Sequence, residues 1–192
     1  MSSLVISGDT SGTVTVAAPA VAGSNTLTLL AATATNSVNT LATAVASTSG
    51  TSITFSSIPA WVKRVTVTFV GVSTSGTSNT LIQIGAGSVV STGYSSASSV
   101  VGATTAATAS STAGFLLRSN QAAAVISGAV SLILSTGNTW VASGVTIDTS
   151  IPGSYTTGGY LALGGSLDRV VLTTVNGTDT FDAGSINILY EG

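Results

Sequence analysis

The sequence predicts an all-β protein, an antiparallel β-sandwich head of jelly-roll-like type behind an extended or β N-terminal arm. Three observations carry this. Short runs alternate apolar and hydroxyl side chains with a period of two, which puts one set on each face of a half-buried strand. Gly-, Ser- and Asn-rich breaks separate the runs at short intervals, as in sandwiches and barrels. The chain is also built from hydroxyl residues, 32 Thr and 31 Ser in 192, with 22 Gly and 3 Pro.

Taken in order, the first strand expected is Thr13 to Val16, followed by Thr26 to Leu30. Ala31 to Ala46 dissents. It is Ala-rich, and Val38, Leu41 and Val45 fall at i, i+3 and i+7, the spacing of a short helix, while its Thr and Asn residues favour an extended linker. Ser52 to Phe55 is extended again. Lys63 to Val72 gives the clearest signal, with Val65, Val67 and Phe69 on one face and Thr66 and Thr68 on the other. Thr80 to Ile84, Gly114 to Leu117, Val130 to Leu134, Thr139 to Ala142 and Gly159 to Leu163 follow, and Gly85-Ala86-Gly87 reads as a turn. Arg169 to Val175 leads into Asn176-Gly177, a strong short hairpin signal. The last strand, Ser185 to Tyr190, places Ile186, Ile188 and Tyr190 on one face.

Texture changes near residue 50. Residues 1–50 hold no aromatic side chain and one charge, Asp9, whereas both Trp, all four Tyr and all four Phe come later. Aromatic side chains supply the large buried areas of a compact core. Residues 1–50 therefore read as an arm or shaft that is stable only when docked or trimerised, and 51–192 as the head; the alternative is one continuous domain whose first strands are plain.

Only 5% of the chain is charged, against roughly 25% in ordinary soluble domains. Four cations cannot make the basic stripe that nucleic acid requires, so no such partner is expected. Without His or Cys, imidazole and thiolate metal sites, cysteine nucleophiles and Ser-His-Asp catalysis are excluded. Mean hydropathy is +0.60, yet the longest weakly polar run, Ala122 to Leu134, is shorter than the ~20 residues of a spanning helix, so membrane insertion is not expected. Met1-Ser2-Ser3-Leu4 lacks the cationic start of an export signal. No charge occurs between Asp9 and Lys63, between Arg64 and Arg118, or from Ser119 to Ile147. A surface so bare lacks the charged residues that block strand-to-strand association. It is expected to be covered by other copies or other subunits.

The chemistry-bearing residues are few. A glycosidase must draw its carboxylates from Asp9, Asp148, Asp168, Asp179, Asp182 and Glu191. Asp179 and Asp182 straddle Phe181 and could act as a pair or share calcium, although Asp beside Asn-Gly and Ala-Gly is also turn chemistry. Asp168-Arg169 suggests solvated or intersubunit ion pairs. Lys63 is the sole lysine and has no Gly-x-Ser-x-Gly elbow to serve. Trp61 and Trp140 read as core residues closing the end of a sandwich. Tyr94, Tyr155 and Tyr160 lie in Gly- and Ser-rich segments that resemble exposed loops, and are the candidates for receptor contact. No catalytic, cofactor or metal residue is assigned.

The run Thr174 to Ile188, with Asn176-Gly177-Thr178-Asp179 and Phe181-Asp182-Ala183-Gly184, resembles the closing segment of a β-rich domain of tailed-bacteriophage fibre and other virion proteins. Ile58-Pro59-Ala60-Trp61-Val62-Lys63-Arg64, Gly71 to Gly76, Gln83-Ile84-Gly85, Gly93-Tyr94 and Asn138-Thr139-Trp140 follow the same order. Gly12 to Ala20 through Asn25 to Leu29 is similar to a short β module that precedes such heads. The resemblance implies a non-enzymatic virion component without cofactor, commonly a homotrimer, bound through its arm to capsid or tail proteins and touching a host-surface glycan at its tip. The chain is shorter than a long tail fibre and Val100 to Ser111 is rich in Ala and Thr, which leaves a head fibre or a capsid decoration protein as alternatives. A small polysaccharide depolymerase using Asp179 and Asp182 is the enzymatic alternative.

Overall fold

A computed structural model describes residues 3–7, 13–17, 38–102, 106–117, 121–122, 124–150 and 152–192. The chain divides into two compact units, Met1–Asn36 and Ser37–Gly192. The first contains an antiparallel pair, β1 (Ser3–Ser7) and β2 (Thr13–Ala17), in which Leu4 lies opposite Val16 and Ile6 opposite Val14. The expected strand Thr26 to Leu30 and the first part of Ala31 to Ala46 fall outside the described residues.

The second unit holds β3 (Asn39–Leu41), β4 (Val45–Ala46), β5 (Ile53–Ser56), β6 (Arg64–Thr74), β7 (Thr80–Ala86), β8 (Ser88–Val89) and β9 (Ser95–Gly102). It continues with β10 (Ala106–Ser111), β11 (Phe115–Leu117), β12 (Ile126–Thr136), β13 (Thr139–Asp148), β14 (Gly153–Ala162), β15 (Arg169–Thr174) and β16 (Phe181–Glu191). All pairings are antiparallel. The larger sheet runs β10-β9-β14-β13-β12-β6-β16-β3, with β4 also on β16; the smaller runs β11-β7-β15-β5, with β8 on β7. Neither sheet closes on itself.

One core fills the space between the sheets. Val65, Val67 and Phe69 of β6, Val130 and Leu132 of β12, and Ile186 and Ile188 of β16 meet Ile82 and Ile84 of β7, Phe115 and Leu117 of β11, and Val170 and Leu172 of β15. The alternation read in β6 and β16 is the alternation found: Val65, Val67, Phe69, Ile186 and Ile188 are buried, Tyr190 is half-buried against them, and Thr66 and Thr68 lie on the other face of β6. Trp140 is buried in this core as expected.

Of the two readings left open for Ala31 to Ala46 the extended one holds where the chain is described, and two expectations, a hairpin at Asn176-Gly177 and a buried Trp61, are corrected. The described part of Ala31 to Ala46 is extended, not helical, because β3 and β4 take their hydrogen bonds from β16; Val38, Leu41 and Val45 remain exposed. The second unit accordingly begins at Ser37, and the strip from Val38 to Ala46 belongs to its larger sheet. Asn176-Gly177 does turn the chain, with Gly177 at φ +68°, but it closes no hairpin. β15 pairs with β7 and β5, while β16 pairs with β6, so the turn passes the chain from one sheet to the other. Trp61 lies on the surface, 40% exposed, with its ring 5.9 Å from that of Tyr190. The reason is local: Pro59 begins a turn closed by the Val62 amide on the Pro59 carbonyl, and Val62 takes the inward position.

Candidate functional site

The three tyrosines that sequence reading offers for receptor contact separate in space. Tyr94 is buried. Gly93, at φ +83°, swings it inward from its Ser-rich loop. Its hydroxyl accepts from the Ile84 amide at 2.8 Å and donates to the Val90 carbonyl at 2.9 Å, and its ring stands edge-on to Phe115 at 5.0 Å. Tyr155 is buried too, because it takes an inward position in β14 rather than a loop. The expectation that both lie in exposed loops is corrected. Tyr160, an outward residue of the same strand, is 54% exposed.

Burial pushes the Tyr94 hydroxyl up to about 12. A tyrosine whose folded value is raised contributes stability that is fully present below its unfolded value of ~10 and is lost as pH rises through the folded value. The protein is therefore expected to lose stability from about pH 10 upward. Tyr94→Phe should flatten that alkaline slope, measured by denaturant titration across pH. It should also cost about 1–3 kcal/mol at neutral pH by stranding the Ile84 amide.

The carboxylates serve loops. Asp179 accepts from the Ser78 amide at 2.9 Å and from Asn176 Nδ2 at 2.6 Å, while Asn176 Oδ1 accepts from the Thr178 and Asp179 amides. Asp182 is bonded instead by the Ser73 hydroxyl. Thus Asp179 ties the turn after β15 to the loop after β6, and Asp182 is held on a different partner. Among the described residues no group of three or more acidic side chains gathers to hold a metal ion. Asp148, which sequence reading left without a role, is buried and accepts from the Val125 amide, the Ser150 amide and hydroxyl, and Gln121 Nε2. Only its place two residues before Ser150 hints at this Asx-type turn.

Two ion pairs lie within the chain. Arg64 and Glu191 face each other across β6 and β16; the hydrogen bond from Arg64 holds the Glu191 carboxyl below the usual carboxylate range. Asp168 and Arg169 form a bidentate pair at 2.7 and 3.2 Å, and Asp168 also accepts from the Gly87 amide. Asp168 and Arg169 thus pair with each other within the chain, both partly exposed, in line with the solvated pair expected.

What the strands do bring together is an uncharged surface. On the outer face of the larger sheet, register aligns Leu189, Thr66, Ser131, Ser143, Gly158 and Ala97 in one row. The next row is Asn187, Thr68, Ala129, Val145, Thr156 and Ser99. Beyond it stand Val70, Ile147 and Val101, and Leu41 extends the first row on β3; Leu41, Val70 and Val101 are 67%, 64% and 66% exposed. Arg64 and Glu191, already paired, mark one end, in the row that continues through Ile133, Val141 and Tyr160 to Ser95. Between that row and Val70 the described face bears no charged side chain. Eight strands about 4.8 Å apart, over six residues of about 3.3 Å each, give roughly 700 Å² in plan, near the ~800 Å² per partner of a stable interface. The same end of the sheet holds both ends of the unit, where the Val38 amide donates to the Gly192 carbonyl.

Compared with protein-family models, with curated proteins and with solved structures, the chain matches none of them. Among the described residues no helix is long and apolar enough to cross a membrane.

Proposed function

We propose that this chain is a structural protein of a bacteriophage virion. In this reading it is a short homotrimeric tail or head fibre or spike that contributes to host-surface attachment, with the first unit, Met1–Asn36, as its docking arm and a jelly-roll-like head. The observation that carries the reading is the uncharged outer face of the larger sheet, with its exposed Leu41, Val70, Val101 and Val145. These apolar side chains stand exposed among Ser, Thr and Asn on one face, and an uncharged face finds its best complement in another uncharged face, which each further copy supplies. Linked copies multiply weak surface contacts, so a trimer also suits adhesion.

The resemblance of the Thr174 to Ile188 run to phage virion proteins supplies the particle; the face supplies the need for company. The same face would serve a capsid decoration protein by packing on the shell. No catalytic role is assigned to Asp179 or Asp182, whose oxygens are engaged in holding loops. Light scattering of the purified protein should give three times the 18.6 kDa chain mass. A map of the particle should place it on a projecting fibre, whereas density spread over the capsid surface would favour the decoration role. A monomer in solution and on the particle overturns the proposal.

A further inference from the structure

We infer that the depression between the start of β9 and the end of β10 binds a neutral saccharide, an inference that rests on the attachment reading above and names its ligand class. The depression holds about 410 Å³ and is lined by Tyr94, Ser95, Ser96, Ser110, Ser111 and Thr112. That volume lies within the range of small-molecule sites, ~300–1,000 Å³, and suits one or two pyranose rings. Every lining residue carries a hydroxyl. Three of them are fixed as walls: Tyr94 through Ile84 and Val90, Ser96 by accepting from the Leu116 amide at 2.9 Å, and Ser111 by accepting from the Ala113 amide at 3.1 Å. The other three, Ser95, Ser110 and Thr112, are exposed, and their hydroxyls have no hydrogen-bond partner among the described residues.

An aromatic residue faces one of these free hydroxyls, that of Ser95, at the margin of the depression. Tyr160 is the register partner of Ser95 on β14, which puts their Cβ atoms about 5 Å apart on the outer face. A pyranose has an apolar C–H face and a rim of hydroxyls. The Tyr160 ring offers a surface for the first, and Ser95, Ser110 and Thr112 offer donors and acceptors for the second. No charged side chain lines the depression, so a uronate, sialate or phosphate would leave its hydration without gaining a counter-charge. The chemistry selects neutral sugars and disfavours anionic ones.

Ser95 and Tyr160 lie in the row of Arg64 and Glu191, at the end of the sheet that holds both ends of the unit. Ligand would be met on the flank of the head, at the opposite end of β9 from Val101.

The test is saturation-transfer NMR and calorimetry on the full chain. Neutral probes are maltotriose, chitotriose and mannotriose; anionic probes are sialyllactose and trigalacturonate. At least one neutral trisaccharide should bind with a Kd of about 1 mM or tighter, and the anionic ones should bind at least about tenfold more weakly. Tyr160→Ala should weaken binding about tenfold and Ser110→Val several-fold, with thermal melting unchanged because both positions are exposed. Absence of binding by all three neutral probes at about 20 mM, equal binding by Tyr160→Ala, or preference for the anionic probes overturns the site. Oligomeric mass measured on the same samples keeps the two proposals apart: a trimer that binds no sugar removes only the site, and a monomer that binds sugar removes only the assembly.

Discussion

Val145→Lys is expected to dissociate the proposed trimer into folded monomers. Val145 stands in the middle of the larger sheet, on β13 between Ala129 of β12 and Thr156 of β14, with its side chain outward and 52% exposed. In the separate chain the ammonium group reaches water, and a surface change of this kind shifts stability by only about ±0.5 kcal/mol. In a face-to-face contact the same group is removed from water opposite Ser, Thr, Ala and Val side chains that offer no carboxylate, and an unpaired buried charge costs several kcal/mol. Three copies would each pay that penalty. Sedimentation and light scattering should show the mass falling to that of one chain while the far-UV spectrum and melting temperature hold. Thr178→Lys, in the exposed turn after β15, serves as the control and should leave the assembly intact. An unchanged mass for Val145→Lys would show that the outer face is not where copies meet.

The sparse charges sharpen this expectation. Arg64 is bonded to Glu191 and Arg169 to Asp168, so those cations are satisfied inside the chain. Both carboxyls are held below their usual range by the partner's hydrogen bond. The stability they contribute is present above the unfolded carboxylate range and is lost as pH falls through their depressed folded values. At neutral pH neither pair leaves a net charge to repel a neighbouring copy.

How much could be read in advance follows the range of the interactions. β6 was legible because its own alternation, Val65, Val67 and Phe69 against Thr66 and Thr68, fixes which face is buried whatever the partner. β16 was legible for the same reason. β3 and β4 were not, since among the described residues the strand that pairs with them is β16, and the contact from Asn187 to the Ala42 carbonyl spans 145 positions. Asn176-Gly177 announced a turn, which is a local property of φ, but nothing in four residues says whether the next strand returns to the same sheet. Tyr94 misled because a Ser-rich loop ordinarily exposes its aromatic, and the inward swing depends on Gly93 and on amides that only the folded sheet supplies. The uncharged face was visible as composition; its concentration on one side of one sheet was not, because that depends on the register of β12, β13 and β14.

Gly184→Ala is expected to be the most damaging single methyl group in the head, and its contrast with Gly177→Ala isolates the cause. Both glycines have positive φ, +89° and +68°, so either substitution places an L-residue in left-handed backbone at a cost of about 1–2 kcal/mol. At Gly177, in the turn between the sheets, a Cβ meets nothing within 4 Å. At Gly184 it would overlap the Gly71 carbonyl and the Val70 carbonyl oxygen. Both are backbone groups of β6 and cannot rotate aside. This is where the register of β16 on β6 shifts twice, between Phe181 and Ala183 and between Ala183 and Ser185. Gly71 and Gly128 bring further positive φ to the neighbouring strands β6 and β12, and the Gly71 amide donates to Ser127 Oγ. The central strands thus bend together, and the methyl group must push β16 off β6 at the point where the bend is made. Gly177→Ala should lose about 1 kcal/mol, and Gly184→Ala at least about 3 kcal/mol beyond that, read as the difference in denaturant midpoint at constant slope. If the two variants unfold at the same midpoint, the close passage of β16 over Gly71 does not hold the larger sheet in its bent form.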